Sequence, residues 1–258
     1  MKKTGAEKRV SPRNETRILI IGAGGLGSAA IACLAQSGIS VLGVADGDTV
    51  DITNLHRQII HVSTDQGRLK VDSAEKYLLE HGFKGTIEKY PFRLEPDNII
   101  GIIKKYHVII DASDTFRSKF LINDACVLAG IPFVHAGIVR FEGQMMSVIP
   151  KRSSCLRCLF ESPPPPETAV TCREAGVLGP AVGMLGAMQV VEALKILDGT
   201  GTPMINKTMT MDIRNFRFCE IPVCRDASCP VCGDNPRITN LVENNYPSLK
   251  IPRENGCP

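Results

Sequence analysis

Glycines at positions 22, 24, 25 and 27 stand in the run Gly22-Ala23-Gly24-Gly25-Leu26-Gly27, a G-x-G-x-x-G pattern between an apolar segment and one of helical character. Glycine permits the tight turn and lets backbone N–H groups approach a phosphate at the positive end of the helix. Asp46 follows at the spacing where a carboxylate binds a ribose hydroxyl. Together these residues point to an adenine nucleotide, with glycines that serve packing alone as the bland alternative. They do not separate NAD from ATP.

The residues after Asp46 bear on that choice. Asp48 comes first, then Asn54, Arg57 and Gln58, then Lys70. Hydride transfer has no evident need for this polar and basic series. Nucleotidyl transfer does, because an incoming carboxylate and a triphosphate are both anions. Two unit charges about 4 Å apart repel by about 4 kcal/mol at an effective dielectric of about 20. Arg57 and Lys70 are suited to offset that repulsion, and an arginine can hold two oxygens at once. Asp114 follows the apolar run HVIID, where a carboxylate can hold Mg2+ on the phosphates. Taken singly, Arg57 and Lys70 read as solvated charges, Asp114 as a helix cap and Asp48 as a turn acid.

Ten cysteines are many for a chain of this kind. Cys155/Cys158 and Cys229/Cys232 form two C-x2-C pairs, and four thiolates close a tetrahedral zinc site. The gap between the pairs is longer than a zinc ribbon's, so two separate redox pairs remain the competing reading. Cys172 precedes Arg173, which favours a thiolate, so a reactive thiol and a spectator are both open there. Cys33, Cys126, Cys219, Cys224 and Cys257 have no spacing that demands chemistry.

The elements that must position these residues alternate. Strands are expected at 17–22, 40–45, 85–90, 107–111 and 132–136, and helices at 25–37, 70–81, 95–105 and 115–129. Such alternation gives a Rossmann-like α/β fold, a mostly parallel sheet with helices on both faces. Runs at 144–150 and 206–213 read as later antiparallel strands. Pro163 to Pro166 mark a loop, and a helix from Pro180 to Leu197, rich in Gly and Ala, is expected to be buried by close packing. The organisation read from this pattern is a polar arm at 1–16, a nucleotide-binding domain with the zinc site at 17–233, and an extended surface tail at 234–258.

With 258 residues, 43% apolar and 22% charged, the chain can bury a substantial core. Its net charge of +3 is dispersed rather than gathered in basic blocks, so no nucleic-acid partner is expected. No secretory core follows Met1, and the most apolar run, 177–191, ends at Glu192 and Lys195. No membrane partner and a cytoplasmic location are expected.

In order along the chain come GAGGLGS, DGDTVDITNLHRQ, GRLKVDSA, DASDTFRSKFLINDAC, GIVRFEGQ, CLRC, TCREAGVLGP and CPVCG. In this order they resemble the ThiF/MoeB/HesA adenylyltransferases, bacterial relatives of the ubiquitin-activating enzymes. The resemblance covers roughly residues 17–233. It implies ATP as substrate, with Asp46 on the ribose and Asn54, Arg57 and Lys70 on the phosphates. It also implies Mg2+ at Asp114, Zn2+ at the four paired cysteines, and roles near the site for Arg140 and Gln144. The implied protein substrate is a ubiquitin-like sulfur carrier ending in Gly-Gly, adenylylated on its terminal carboxylate with release of pyrophosphate. A desulfurase or rhodanese-like sulfur donor and a homodimer are further implications. The family's arm motif R-Y-x-R-Q is replaced here by Lys8-Arg9-Val10-Ser11-Pro12-Arg13-Asn14. The alternatives are a noncatalytic carrier-binding relative and an NAD-dependent dehydrogenase.

Overall fold

The computed structural model describes residues 13–164 and 176–246. Residues 17–21, RILII, hold no polar side chain after Arg17, so neither face of the segment can rest against water. They end β1 (Arg13–Ile21), in which Ile18, Leu19 and Ile20 are fully buried. Next come α1 (Gly25–Leu34), β2 (Ile39–Ala45), α2 (Lys70–Glu80), β3 (Thr86–Tyr90), α3 (Ile99–Ile103) and β4 (Val108–Asp111). α4 (Phe116–Ala129), β5 (Phe133–Val139), β6 (Glu142–Val148), α5 (Leu156–Leu159) and α6 (Gly179–Asp198) follow, and then β7 (Lys207–Asp212) and β8 (Arg217–Pro222).

The sheet order is β3-β2-β1-β4-β5-β6-β7-β8, parallel from β3 to β5 and antiparallel from β5 to β8. This is the expected α/β architecture. Alternate residues of one strand feed two cores: Ile18 and Ile20 pack with α1, α2 and α6, while Leu19 packs with α3 and α4. Because β1 pairs with β2 on one side and β4 on the other, the side on which successive strands are added reverses at β1, while all of them stay parallel. The carboxyl ends of β1 and β4 therefore open a crevice.

α6 is the one helix among the described residues with the length and composition to cross a membrane. Here it is a core element, with Leu185 and Ala193 fully buried. A Cβ at Gly186 would strike the Leu26 carbonyl, so the small residues do serve close packing against α1.

Several boundaries differ from those expected. β1 begins at Arg13, so the residues read as the end of a loose arm enter the sheet; Glu15 N–H donates to Ser40 Oγ at 2.7 Å. α3 is only five residues long, because Asn98 closes a turn on Glu95 beside Pro96. β8 was not anticipated; its residues are all exposed at the sheet edge, so it carries no inward apolar alternation to read. The segment after 233 was expected to lie extended on the surface, yet Tyr246 is fully buried. Its hydroxyl donates to Asp124 Oδ2 at 2.9 Å, and Arg117 Nε donates to its carbonyl at 3.1 Å. Asp124 is itself held by Arg157, with Nε at 2.8 Å and NH2 at 2.8 Å. A buried carboxylate has acceptor sites to spare, and the phenol fills one.

Tyr246→Ala should therefore lower the unfolding free energy by about 3–5 kcal/mol. Tyr246→Phe, which keeps the ring and removes only the hydroxyl, should cost about 1–2 kcal/mol. Urea midpoints of the two variants check this, and equal losses would show that the ring itself contributes nothing.

Candidate active site

The glycine turn lies at the crevice. Gly22 has φ +101°, and a Cβ there would come within 2.6 Å of the Ala112 carbonyl oxygen at the end of β4. Only glycine tolerates both conditions. A Cβ at Gly27 would collide with the Gly22 carbonyl; Gly27 faces this packing rather than the cleft, whereas Gly22, Gly24 and Gly25 line it. α1 starts at Gly25 with no side-chain cap and no acid in its first turn, so its first N–H groups are unneutralised.

Asp46 organises the adjacent loop. Its Oδ2 accepts the Ala23 N–H at 2.8 Å and its Oδ1 accepts the Asp48 N–H at 2.8 Å. Burial raises its pKa, and Lys70 and the two amides offset that only in part. Lys70 opens α2 with 6% exposure, its Nζ 3.3 Å from Asp48 Oδ2 and 3.8 Å from Asp46 Oδ2. For Asp48, burial also opposes the charge, but Arg93 and Lys70 outweigh it and hold the carboxyl below its ordinary range.

Arg57 NH2 donates to Asn54 Oδ1 at 2.5 Å, and its NH1 lies 3.1 Å from His56 Nε2. Gln58 is 4% exposed, and its Oε1 has no hydrogen-bond partner among the described residues. Asp46, Asp48, Asn54, Arg57, Gln58, Lys70 and Asp114 all border one cavity of about 1330 Å3. Asp114 is exposed there and does not cap α4; Thr115 does, accepting the Ser118 N–H at 3.1 Å. The cavity continues over β6 to β8, where Gln144, Thr210, Arg217 and Cys219 border it. Arg140 is not among its walls; it turns the β5–β6 hairpin with φ +54°. Cys172 lies outside the described residues.

Arg93 was missed by the sequence reading. It borders the cavity and its NH2 donates to Asp48 Oδ1 at 3.1 Å. The signal was available, since Arg93 follows the carboxyl end of β3, the edge of a parallel sheet where ligands bind. Lys119 was also missed. It borders the cavity, and its Nζ donates to the Ala136 carbonyl at 2.6 Å and lies 3.7 Å from Asp111 Oδ2. Asp111 is fully buried and also accepts from His135 Nδ1 at 2.8 Å and Ser113 Oγ at 2.6 Å.

The four paired cysteines converge. Cys155 and Cys229 sulfurs are 3.6 Å apart, Cys158 and Cys232 3.4 Å, and Cys155 and Cys158 4.0 Å. A tetrahedral ion with Zn–S bonds of about 2.3 Å spaces its sulfurs by about 3.8 Å, so the cluster fits that geometry. The Asp226 N–H donates to Cys158 Sγ at 3.5 Å and Asn123 Nδ2 to Cys155 Sγ at 3.9 Å, contacts that favour thiolates. Cys126 is buried in the second core, and burial pushes its thiol well up, as suits a packing residue.

A sequence model of the ThiF family matches residues 5–231. The chain is 36% identical over 245 residues to the sulfur carrier protein adenylyltransferase of Thermus thermophilus, covering 91% of this chain and 90% of that protein. It is 37% identical over 227 residues to the adenylyltransferase and sulfurtransferase MOCS3 of Culex quinquefasciatus, covering 88% of this chain. It spans about half the length of that protein and its MOCS3 counterparts. Among solved structures, E. coli MccB with MccA-N7isoASN superposes with a TM-score of 0.77 at 19% identity, over 86% of this chain and 68% of that one. That likeness is one of fold.

Asp111 should leave a mark on acid stability. Burial alone would raise its pKa, but Lys119, His135 and Ser113 overcome this and hold it down at about 2, against 3.8 for the free side chain. A depressed carboxylate contributes stability above its unfolded pKa and loses it as pH falls through the folded one. The stability advantage of the wild type over Asp111→Asn should therefore shrink by about 2 kcal/mol between pH 4 and pH 2. Denaturation of both proteins across that range checks it; a constant difference would refute the ion-pair assignment.

Proposed function

Because the chain belongs to the ThiF family, we propose that it uses ATP to adenylylate the C-terminal carboxylate of a ubiquitin-like sulfur-carrier protein. The carrying observation is the gathering of Arg57, Gln58, Lys70 and the glycine turn around one cavity at the β1/β4 switch point. The name of the Thermus relative supports the substrate class.

In this reading Asp46 accepts the ribose hydroxyls, which requires it to stay ionised; Lys70 and the two amides favour that state. The phosphates run past the free N–H groups of α1 toward Asn54, Arg57, Gln58 and Lys70. The carrier tail enters over β6 to β8, past Gln144 and Thr210. Its carboxylate oxygen attacks the α-phosphorus, a new P–O bond forms, and the bond to the β-phosphate breaks. The products are the acyl-adenylate and pyrophosphate. A carboxylate is ionised at neutral pH, so the step needs no general base, and none of the cavity groups has to remove a proton. What it needs is positive charge where two anions meet, and Arg57 and Lys70 supply it.

Asp114, exposed at the cavity wall, would hold Mg2+. When bound, that ion shares the phosphate charge with Arg57 and Lys70. The four-cysteine cluster would hold a structural Zn2+, closed to substrate, tying the segment from Cys229 onward to α5. A zinc–thiolate site of this kind suits a reducing cytoplasm. A desulfurase or rhodanese-like donor would then convert the adenylate to a thiocarboxylate. Ile59, Val62 and Val191 are about half exposed, and a second copy of the chain would cover them in a homodimer. The catalytic unit would comprise residues 17–233. An NAD-dependent dehydrogenase leaves Arg57 and Lys70 without a task.

Carrier-dependent ATP–pyrophosphate exchange tests the proposal, and a noncatalytic binder would give none. Lys70→Ala and Arg57→Ala should each lower kcat/KM by about 100-fold or more, with circular dichroism unchanged. Arg93→Ala, which removes one partner of Asp48 at the cavity wall, should lower it by about tenfold or less. Exchange that is indifferent to the carrier, or to Lys70, would defeat the assignment. Metal analysis should find one zinc per chain, reduced by Cys229→Ser together with the melting temperature.

A further inference from the structure

Ala23 lies between two glycines of the nucleotide turn, and a peptide so flanked can turn over with little steric resistance. Its orientation needs an outside hold. Ala23 N–H is taken by Asp46 Oδ2 at 2.8 Å, as described. Its carbonyl is taken by a residue that the proposed chemistry does not use. His61 Nε2 lies 3.0 Å from the Ala23 oxygen, and because a carbonyl can only accept, that nitrogen carries the hydrogen. The other ring nitrogen, Nδ1, lies 2.8 Å from Ser73 Oγ on α2. Ser73 Oγ is in turn 2.8 Å from Asp65 Oδ2, and Lys76 Nζ donates to Asp65 Oδ1 at 3.1 Å. His61 is 4% exposed, Ser73 and Asp65 are buried, and none of the three borders the cavity.

We propose that His61 is a positioning residue for the nucleotide's phosphates, acting on them through the Ala23–Gly24 peptide. A trans peptide points its C=O and its N–H to opposite sides of the chain. Holding the Ala23 carbonyl on the buried side therefore turns the Gly24 N–H the other way, and Gly24 is a wall of the cavity. Were this peptide to flip, a carbonyl oxygen would face the triphosphate in place of a donor, adding one more negative pole where anions must gather. The strut also joins the segments that carry the phosphate-facing groups. His61 is three residues beyond Gln58, and Ser73 is three residues beyond Lys70. The glycine turn, the Asn54–Gln58 segment and the start of α2 are thus held in one frame. The inference rests on the ATP-binding reading and adds a residue to it.

Calorimetric titration of the full chain with Mg-ATP and, separately, with adenosine tests it, because only the first ligand has phosphates to lose. His61→Phe should weaken ATP binding by about tenfold, the equivalent of one hydrogen bond, and adenosine binding by less than about twofold. His61→Gln keeps an N–H donor for the Ala23 carbonyl, and should bind ATP within about threefold of wild type. Ser73→Ala leaves the imidazole in place without its backing and should shift ATP binding in the same direction as His61→Phe. It decides the matter should the phenylalanine variant fail to fold. Equal losses for ATP and adenosine, or undiminished ATP binding in His61→Phe and Ser73→Ala, overturn the strut while the adenylylation reading stands. A wild-type chain that binds no ATP overturns both.

Discussion

Lys70 sits with its ammonium almost out of water, between the carboxylates of Asp46 and Asp48. An isolated ammonium at that depth would be costly to desolvate; two carboxylates within 4 Å offset that cost. The desolvation of this group is thus met by the fold before any ligand arrives. Under the proposed function, a triphosphate oxygen joins or replaces an anionic neighbour of Lys70 and does not have to strip a hydrated cation. The same arrangement opposes, in part, the upward pull of burial on the Asp46 carboxyl, so under the proposed function one ion-paired cluster would serve both the ribose end and the phosphate end of the nucleotide.

That cluster exists only because three strand ends meet. Asp46 follows β2, the glycine turn follows β1, and Ala112 to Asp114 follow β4, all at the same edge of the parallel sheet. The close approach of Gly22 to the Ala112 carbonyl shows how tightly β1 and β4 are drawn together there. Below them the buried Asp111–Lys119–His135 group closes the floor, and Gln189 Nε2 from α6 donates to the Asp111 and Val134 carbonyls at 2.7 and 3.1 Å. Both faces of the sheet are thereby tied to the floor of the cavity.

A second cluster does comparable work for the far end of the chain. The four thiols gather the segment around Cys229 against α5, and the next link outward is polar: Asn123 Oδ1 accepts the Leu156 N–H at 2.9 Å, and Asp124 holds Arg157 and Tyr246. The Arg157 guanidinium also stacks over Phe120, 4.9 Å from the ring centre. The cysteine cluster, the buried ion pair and the docked tyrosine form one continuous contact surface along α4, the helix whose start carries Asp114 and Lys119.

Chain-local properties decided much of this protein. The apolar runs of β1 and β4, the glycine turn, the left-handed stops at Gly82 and Gly130 and the two C-x2-C pairs depend on residues close in sequence, and their physics could be read without knowing what lies opposite. That Asp46, Asn54, Arg57, Gln58, Lys70 and Asp114 would gather at one place was legible because they lie in the connections after β2 and β4 or open α2, at the edge where such sheets bind ligands. Only tertiary structure could decide which groups act as partners. Arg93 matters through Asp48, His61 through Ala23, and Tyr246 through Asp124, pairs separated by 45, 38 and 122 residues. No periodicity or local spacing encodes such contacts, because a hydrogen bond is set by where two distant backbones cross, and that crossing is fixed only when the sheet and its helices have packed.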